Sequence, residues 1–237
     1  MAFHNGPSKV EEIGIVKNGL VFWVHASALS SYGGSGTTWT DIKGSNDLTM
    51  GANVTFDTTY NPATAKSMDF AGSGSTNKLT CSSFTITSGT VWSQQCFFKP
   101  SNQSSGGYGY FNRDWCAISE GGATAGSPKQ LYLFIDNATA QVISTTQFET
   151  GIWYNIGWVF HDDGTVKVYV NGALDKTTTV TWVGDNYPQK SFTGLGVYGG
   201  ATHPLNGKLG NFMIYNRELT ASEFLNNFTT ERGRFGV

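Results

Sequence analysis

The sequence has few charged residues, no run of lysine or arginine and no long apolar segment. Charged residues make up 14% of 237, and the formal net charge is −2. The chain therefore lacks the basic surface that binding to nucleic acid or to an anionic membrane requires. No apolar run approaches the roughly 20 residues of a membrane-spanning helix. We expect neither a nucleic-acid partner nor a membrane span.

Cysteine is also scarce, and its spacing is not that of a metal site. The three cysteines, Cys81, Cys96 and Cys116, are odd in number, and we expect buried thiols that pack as small apolar side chains. The segment Met1–Pro7 lacks the basic region and the apolar stretch of a secretory signal peptide. We therefore expect synthesis in a cytoplasm without a signal peptide.

Glycine and aromatic residues are abundant instead, with 30 glycines and an aromatic content of 14%. This mixture is typical of short strands joined by many turns. The clearest pattern lies in residues 154–172, where alternating side chains are interrupted by Asp163-Gly164 and by Asn171-Gly172. Period-2 alternation broken by such dipeptides indicates an antiparallel meander.

Strand candidates occur along the whole chain, and no proline-rich linker or change in charge divides it. Many short strands with frequent turns predict an all-β fold, a two-sheet antiparallel jelly-roll sandwich. The predicted strands are Gly19–His25, Val54–Phe56, Ser67–Phe70, Lys78–Cys81, Val91–Lys99, Trp115–Ile118, Leu131–Asp136, Ile152–His161, Thr165–Asn171, Phe192–Tyr198 and Lys208–Tyr215.

One short helix is predicted near the carboxyl end. Thr220-Ala-Ser-Glu223 fits a capping box, and Phe224, Leu225 and Phe228 then form a narrow apolar stripe for docking. The tail Glu231–Val237 has no pattern of its own. Residues 1–18 precede the first strong strand and are expected to form a mobile arm, which leaves residues 19–237 as one domain.

These segments together resemble the concanavalin A-like lectin/glucanase superfamily, in its laminin-G-like branch. The resemblance rests on the aromatic strand and turns of Trp153–Gly172, on the closing segment Gly207–Glu223, and on Gly19–Ala26 with Ser31–Asp41 at the front. Single-domain members of this kind occur among the virion proteins of tailed phages. They often begin with a Gly-Pro-Ser-like lead and end in Arg-Phe-Gly, as residues 6–8 and 234–236 do here.

The resemblance implies a jelly roll that is often used to bind carbohydrate and sometimes depends on calcium. The first hypothesis is a non-enzymatic structural or accessory protein of a phage virion, a capsid decoration or a tail appendage, assembled as a homo-oligomer with other virion proteins. The second is a carbohydrate-binding module that recognises host-surface glycans, and the two are compatible. The third is a glycan hydrolase. Fold alone does not decide among them.

The residues argue against hydrolysis. Glucanases of the superfamily resemble one another in a strand carrying Glu-x-Asp-x-x-Glu, which places two carboxyls on one face at the roughly 5–5.5 Å that retaining cleavage needs. No glutamate of this chain begins a Glu-x-Asp. We therefore expect that the protein is not an enzyme and has no catalytic residues.

Calcium is the only cofactor that the resemblance suggests. Laminin-G-like calcium sites draw on scattered loop carboxylates, because this cation takes oxygen ligands. Asp69, Asp162 and Asp163 are the candidate ligands, although Asp162-Asp163-Gly164 also fits a simple hairpin turn. Related phage sequences usually carry Asp where this chain has His25, and imidazole is a poor calcium ligand.

The candidate glycan platform is an aromatic loop. Flat aromatic faces with polar groups beside them bind sugars, and a second loop offers either another wall of the same site or a contact with a neighbouring subunit. The alternative is that these aromatics fill the sandwich core or cap its rim. The candidate residues are Tyr108, Tyr110, Arg113, Asp114 and Trp115 in the first loop, and Trp182 and Tyr187 in the second.

Overall fold

The computed structural model describes residues 14–58, 66–70, 76–86, 89–101, 109–110, 116–120, 129–134, 140–182, 191–196 and 205–237. Across these ranges the chain forms antiparallel β-sheets and one α-helix. The all-β fold class predicted from the sequence is confirmed.

The largest sheet has eight strands and contains both β1 and β16, the first and last strands of the described ranges. Its order is β14-β13-β12-β7-β16-β5-β4, and β1 pairs with the half of β16 that β5 leaves uncovered. The strands are β1 (Leu20–His25), β4 (Val54–Asp57), β5 (Ser67–Phe70), β7 (Val91–Pro100), β12 (Tyr154–His161), β13 (Thr165–Val170), β14 (Ala173–Thr179) and β16 (Gly207–Tyr215).

Two four-stranded sheets complete the architecture, with the orders β15-β6-β3-β2 and β11-β10-β9-β8. The first contains β2 (Thr38–Trp39), β3 (Leu48–Met50), β6 (Leu79–Thr85) and β15 (Ser191–Leu195). The second contains β8 (Gly109–Tyr110), β9 (Cys116–Glu120), β10 (Lys129–Phe134) and β11 (Ala140–Val142).

The main core lies between the eight-stranded sheet and the two smaller ones. Phe22 and Trp158 of the large sheet share one buried cluster with Leu131 of β10 and with Leu79 and Phe192 of β6 and β15. Successive side chains of a strand point to opposite faces of the sheet. The residues that lie next to these core residues along each strand of the large sheet therefore point to its other face. The jelly-roll sandwich therefore has one core between its sheets and a second face that needs its own cover.

Helix α1 (Ala221–Phe235) covers that second face. The Phe224 ring stacks on Tyr169 with centroids 4.1 Å apart, and the Phe235 ring stacks on Phe97 at 4.2 Å. Val159 packs in the same cluster as Phe224. Both faces of the sheet are thus buried at the central strands β12 and β16, which explains their near-continuous apolar sequence.

The predicted helix start is confirmed, and two other expectations for this helix are wrong. Thr220 is the N-cap, and its side chain and that of Glu223 form the capping box. Leu225 does not join the docking stripe, because it lies on the outer side of the helix and is 49% exposed. The helix also continues through the supposed tail, since Glu231 and Phe235 are buried and hold its last turns on the sheet. No helix in the described part of the chain has the length and apolar character needed to cross a membrane.

Residues 14–18 lie on the domain rather than apart from it. Ile15 is buried, the Val16 amide donates to Asn227 Oδ1 at 2.9 Å, and the Gly14 carbonyl accepts from the Asn226 side chain. Residues 1–13, the rest of the predicted arm, lie outside the described ranges. The packed domain therefore begins before the expected boundary at Gly19, because the helix offers polar partners to this segment.

Most predicted strands correspond to observed ones, with ends that differ by a few residues. Strands β2, β3, β8, β11 and β14 were not predicted. Strand β14 is a clear example, because its sequence ALDKTTT has no apolar alternation and its side chains are exposed or half-buried. It forms because the Asn171-Gly172 turn returns the chain along β13, with Asn171 at φ 50° and Gly172 at φ 78°.

Candidate functional site

Most of the predicted aromatic platform lies outside the described ranges. Tyr108, Arg113, Asp114, Trp115 and Tyr187 belong to that group. Tyr110 ends strand β8, where its backbone pairs with Ala117 of β9. Trp182 is the one candidate of this set whose side chain is described.

Trp182 is half-buried at the rim of the sandwich, with its orientation fixed by a hydrogen bond. Its indole Nε1 donates to the carbonyl of His161 at 3.0 Å, and the ring packs against the main core. The preceding Val180 amide donates to the Gly164 carbonyl at 2.9 Å, so the chain after β14 returns to the β12–β13 turn. An indole ring held in one plane and open on part of its surface can stack on a sugar.

The neighbouring β12–β13 turn carries the two predicted acidic candidates, Asp162 and Asp163, which are both exposed. Asp163 Oδ1 accepts the Thr165 amide at 2.8 Å, and this backbone hydrogen bond, followed by that of the Thr165 side chain, lowers the pKa of Asp163. Gly164 has φ 91°, as the turn requires. The hairpin-turn interpretation of this sequence is therefore confirmed. The turn also places carboxylates at the sandwich end where Trp182 is anchored.

A charged cluster that the sequence analysis did not single out borders this turn. Glu218 accepts from Lys167 Nζ at 2.6 Å and lies 3.4 Å from His161 Nε2. The hydrogen bond to Glu218 raises the pKa of Lys167. The position of Lys167 on β13, opposite to its valines, could have indicated a side chain on the other face of the sheet. Its partner Glu218 lies after β16, and only the fold brings the two residues together. We call Trp182, Asp162, Asp163, Lys167 and Glu218 the rim site.

Asp69, the third candidate metal ligand, forms an ion pair with the ammonium group of Lys208. Its carboxylate lies 3.1 Å from Lys208 Nζ, and Asp57 of the adjacent strand pairs with the same nitrogen. Burial lowers the pKa of Lys208, but the two carboxylates outweigh burial and raise it overall. Two acids on neighbouring strands are thus present, but they are bridged by a lysine. Within the described ranges no three His, Cys, Asp or Glu side chains are grouped as a metal site would require.

His25 forms a buried pair with the carboxyl-terminal helix. Its Nε2 lies 2.7 Å from Glu231 Oε2, and its Nδ1 accepts the Ser27 amide at 3.0 Å. Since Nδ1 accepts, the ring proton lies on Nε2 and is donated to Glu231. Burial raises the pKa of Glu231, but the interactions with His25 and then with Arg234 lower it overall. His25 is therefore a structural link between β1 and α1.

The two cysteines whose side chains are described, Cys81 and Cys96, pack with the apolar side chains of the main core. Cys96 is fully buried in the main core and Cys81 is half-buried beside it. Burial, with the nearby Asp41 charge, raises the pKa of the Cys81 thiol to about 11. A thiol of this kind is a poor nucleophile at neutral pH. The side chain of Cys116 lies outside what the structure describes.

Comparison with known families gives one match over most of the chain. Residues 57–224 match the family model described as the concanavalin A-like lectin/glucanases superfamily. No curated protein matches the chain in sequence.

Solved structures provide several similar folds at low identity. Domain 4 of an extracellular arabinanase from Geobacillus stearothermophilus, in complex with arabinotriose, has a TM-score of 0.63 at 17% identity, covering 90% of this chain and 99% of that one. Trypanosoma rangeli sialidase in complex with sialic acid has a TM-score of 0.59 at 18% identity, covering 93% of this chain and 34% of that one. The binding domain of Paraclostridial Mosquitocidal Protein 1 has a TM-score of 0.60 at 14% identity, covering 89% and 52%. At these identities the similarity establishes the fold.

Proposed function

Because the chain belongs to the concanavalin A-like lectin/glucanase superfamily, we propose that it is a non-enzymatic, glycan-binding component of a phage virion. The observation that carries the binding role is the rim site, where Trp182 is held at a fixed angle beside the exposed Asp162 and Asp163. The similarity to an arabinotriose-bound domain over nearly the whole length of both chains supports it. Binding would place a sugar face on the indole, with carboxylates accepting from its hydroxyl groups.

The distribution of acidic groups supports the absence of catalysis. Retaining hydrolysis needs one carboxylate as a nucleophile and a protonated carboxyl about 5–5.5 Å away. Asp69, Glu218, Glu223 and Glu231 are each paired with a basic side chain. Each of these four carboxyl groups thus has a partner within the fold. Release of reducing sugar from a panel of polysaccharides would overturn this part of the proposal.

A place on a phage particle is supported by the resemblance of the chain ends. The Arg234-Phe235-Gly236 segment is part of the fold, since Phe235 is fully buried and Gly236 ends the helix with a left-handed cap at φ 70°. On a particle, many copies of a weak glycan site act together, and avidity multiplies the affinity of each site.

The binding role is tested by glycan-array screening with the wild-type protein and a Trp182→Ala variant. We expect wild-type binding to a defined set of surface glycans and a loss of roughly tenfold or more in the variant, because stacking is removed. Leu174→Ala is the matched control, since Leu174 is 53% exposed on β14 and lies away from the rim site. Equal glycan binding by the Trp182→Ala and Leu174→Ala variants would show that the rim site is not where the glycan binds.

The virion assignment is tested separately by quantitative mass spectrometry of purified particles. Copy numbers approaching that of the major capsid protein would indicate a decoration protein on the head. A few copies per particle would indicate a tail or fibre component and strengthen the role in host recognition. Absence of the chain from the particles would refute the assignment.

A further inference from the structure

The turn between β13 and β14 contains a reactive dipeptide that the proposed function does not use. An asparagine followed by glycine can deamidate, because glycine has no side chain to shield its backbone nitrogen from the asparagine side chain. The chain has four such pairs, which begin at Asn5, Asn18, Asn171 and Asn206. Of these, Asn171-Gly172 is the two-residue turn that joins β13 to β14.

Deamidation needs only the chain itself and water. The Gly172 backbone nitrogen attacks Asn171 Cγ, the Cγ–Nδ2 bond breaks, and Nδ2 takes up the proton from the attacking nitrogen and leaves as ammonia. Water then opens the cyclic succinimide at one of its two carbonyl carbons, which gives aspartate or isoaspartate. Because the attacking nitrogen and Cγ must first meet in a suitable geometry, the conformation of the turn controls the rate.

The backbone of Asn171 holds these two atoms apart. Its φ of 50° lies in the left-handed region, where the next backbone nitrogen points away from the side chain. Two hydrogen bonds to β12 fix the residue, since Asn171 Oδ1 accepts the Asn155 amide at 2.9 Å and the Asn171 amide donates to the Asn155 carbonyl at 2.8 Å. Ring closure therefore requires the peptide plane between Asn171 and Gly172 to rotate and the hydrogen bond to the Asn155 amide to break.

Helix α1 lies directly on this turn and leaves no room for that rotation. Gly172 is buried, and a Cβ atom on it would be 3.0 Å from Leu225 Cα and 3.1 Å from Phe228 Cβ. The Phe224 ring, stacked on Tyr169 at 4.1 Å, holds the same part of the helix on the sheet. The peptide plane of the turn can therefore rotate only when this part of the helix lifts from the sheet.

We propose that Asn171 is a site of deamidation and that the docking of helix α1 controls the rate of the reaction. The rate then follows the population of molecules in which the helix has lifted locally. The isoaspartate product adds a methylene group to the main chain, so the two-residue turn between β13 and β14 no longer fits. The aspartate product keeps an oxygen acceptor for the Asn155 amide. The inference does not depend on the proposed function.

The test is peptide mapping by mass spectrometry after incubation at mildly alkaline pH, in the native protein and in the urea-unfolded chain. We expect deamidation at Asn171 to be at least about tenfold slower in the native protein, because local opening must precede it. Asn18 is exposed and also precedes glycine, so it is the comparison within the same sample. Its rate should differ much less between the two conditions.

A Leu225→Ala variant tests the role of the helix directly. Leu225 is 49% exposed, so the variant keeps the core intact, but Leu225 Cδ1 lies 3.1 Å from the Cβ position of Gly172. We expect the variant to deamidate at Asn171 roughly three- to tenfold faster than wild type, because the cover of the turn is loosened. The rate at Asn18 should not change. Leu29→Ala is the matched control, since Leu29 is 52% exposed and follows β1.

Each measurement has an outcome that overturns the proposal. Equal rates at Asn171 in the native and unfolded protein would show that the fold does not control the reaction, and no product in the unfolded chain would exclude the site. An unchanged rate in Leu225→Ala would show that the helix is not the barrier. Equal acceleration at Asn171 and Asn18 would indicate global unfolding instead of local lifting. The separated isoaspartate form should melt at a lower temperature than the aspartate form, and equal melting would refute the effect on the turn.

Discussion

At the scale of single residues, a buried hydrogen-bonded pair links strand β1 to the carboxyl-terminal helix. His25 of β1 and Glu231 of α1 are 0% and 3% exposed and share a hydrogen bond of 2.7 Å. A buried pair is stabilising only while both partners are present, because removal of one leaves the other without compensation for lost hydration. The two residues are thus expected to behave as a unit.

We predict that His25→Ala and Glu231→Ala each lower the free energy of unfolding by about 2–4 kcal/mol. The double variant should lose much less than the sum, because neither His25 nor Glu231 then remains buried without the other. Urea denaturation of the four proteins measures the coupling energy of the cycle. Additive losses would mean that the two side chains are not energetically linked.

A second residue-scale effect depends on pH. The two hydrogen bonds from Arg217 to Glu223, at 2.9 and 2.7 Å, lower the pKa of Glu223 from 4.5 to about 2, against a smaller opposing effect of burial. Because the pKa is lower in the folded state, the stabilisation is complete above about pH 4.5 and disappears as the pH falls toward 2.

We therefore predict that Glu223→Gln lowers the melting temperature at neutral pH, and that the difference from wild type shrinks through the window from about pH 4.5 to about 2. Thermal denaturation at a series of pH values measures this difference. Glu149→Gln, at an exposed position, is the control for loss of one negative charge. A difference that stays constant down to pH 2 would contradict a role for the carboxylate charge.

At the scale of elements, the helix lies close to the sheet because two strands carry glycine beneath it. A Cβ at Gly157 of β12 would overlap the Phe224 ring, and one at Gly210 of β16 would overlap the Phe235 ring. Neither glycine is required by a positive φ, since no such value occurs at these positions. They are therefore needed for the close approach of the helix.

We predict that Gly210→Ala lowers the free energy of unfolding by about 1–3 kcal/mol, because the added methyl group forces Phe235 from its place on Phe97. Gly33→Ala is the matched control, because a Cβ there meets no atom within 4 Å. Urea denaturation compares the two variants. A loss in Gly210→Ala no larger than in the control would show that the helix can shift without cost.

At the scale of the whole molecule, the helix and the sheets form a single packed unit. Phe224, Phe228 and Phe235 cover the outer face of the large sheet, and Asn227 donates to Gln95 Oε1 and to the Tyr215 hydroxyl beneath the helix. If the helix separated from the sheet, the apolar side chains would be exposed to water, and the polar groups beneath the helix would lose their hydrogen bonds to Asn227. Partial unfolding of the helix alone is thus costly.

We predict a single unfolding transition in urea, with the same midpoint by tryptophan fluorescence and by far-UV circular dichroism. The fluorescence follows the buried sandwich core, where Trp92 and Trp158 lie, and the dichroism includes the helix. A Gly210→Ala sample provides the comparison, since both signals should shift together. An earlier transition seen only by dichroism would show that the helix unfolds independently.

The sequence predicted the elements whose signals are local. Strands β12 and β13 and their Asp163-Gly164 turn follow from alternation and turn chemistry, and the start of α1 follows from the capping box at Thr220. Strand β14 was missed because its sequence has no apolar alternation, although it pairs with the adjacent β13. The last turns of α1 were missed because their partners, His25 and Phe97, lie far along the chain. The pairing of Lys167 with Glu218 was missed for the same reason.

The sequence by itself determined the all-β sandwich, its family and the absence of a Glu-x-Asp strand, since these depend on side-chain order along the chain. Only the tertiary structure decided the roles of individual polar residues. It placed His25 against Glu231 rather than in a ligand site, bridged Asp69 to Asp57 through Lys208, and held the Asn171 side chain on the Asn155 amide. The physical reason is that charge and hydrogen-bond partners are chosen by distance in space, and residues far apart in sequence become neighbours only when the sheets and helix pack.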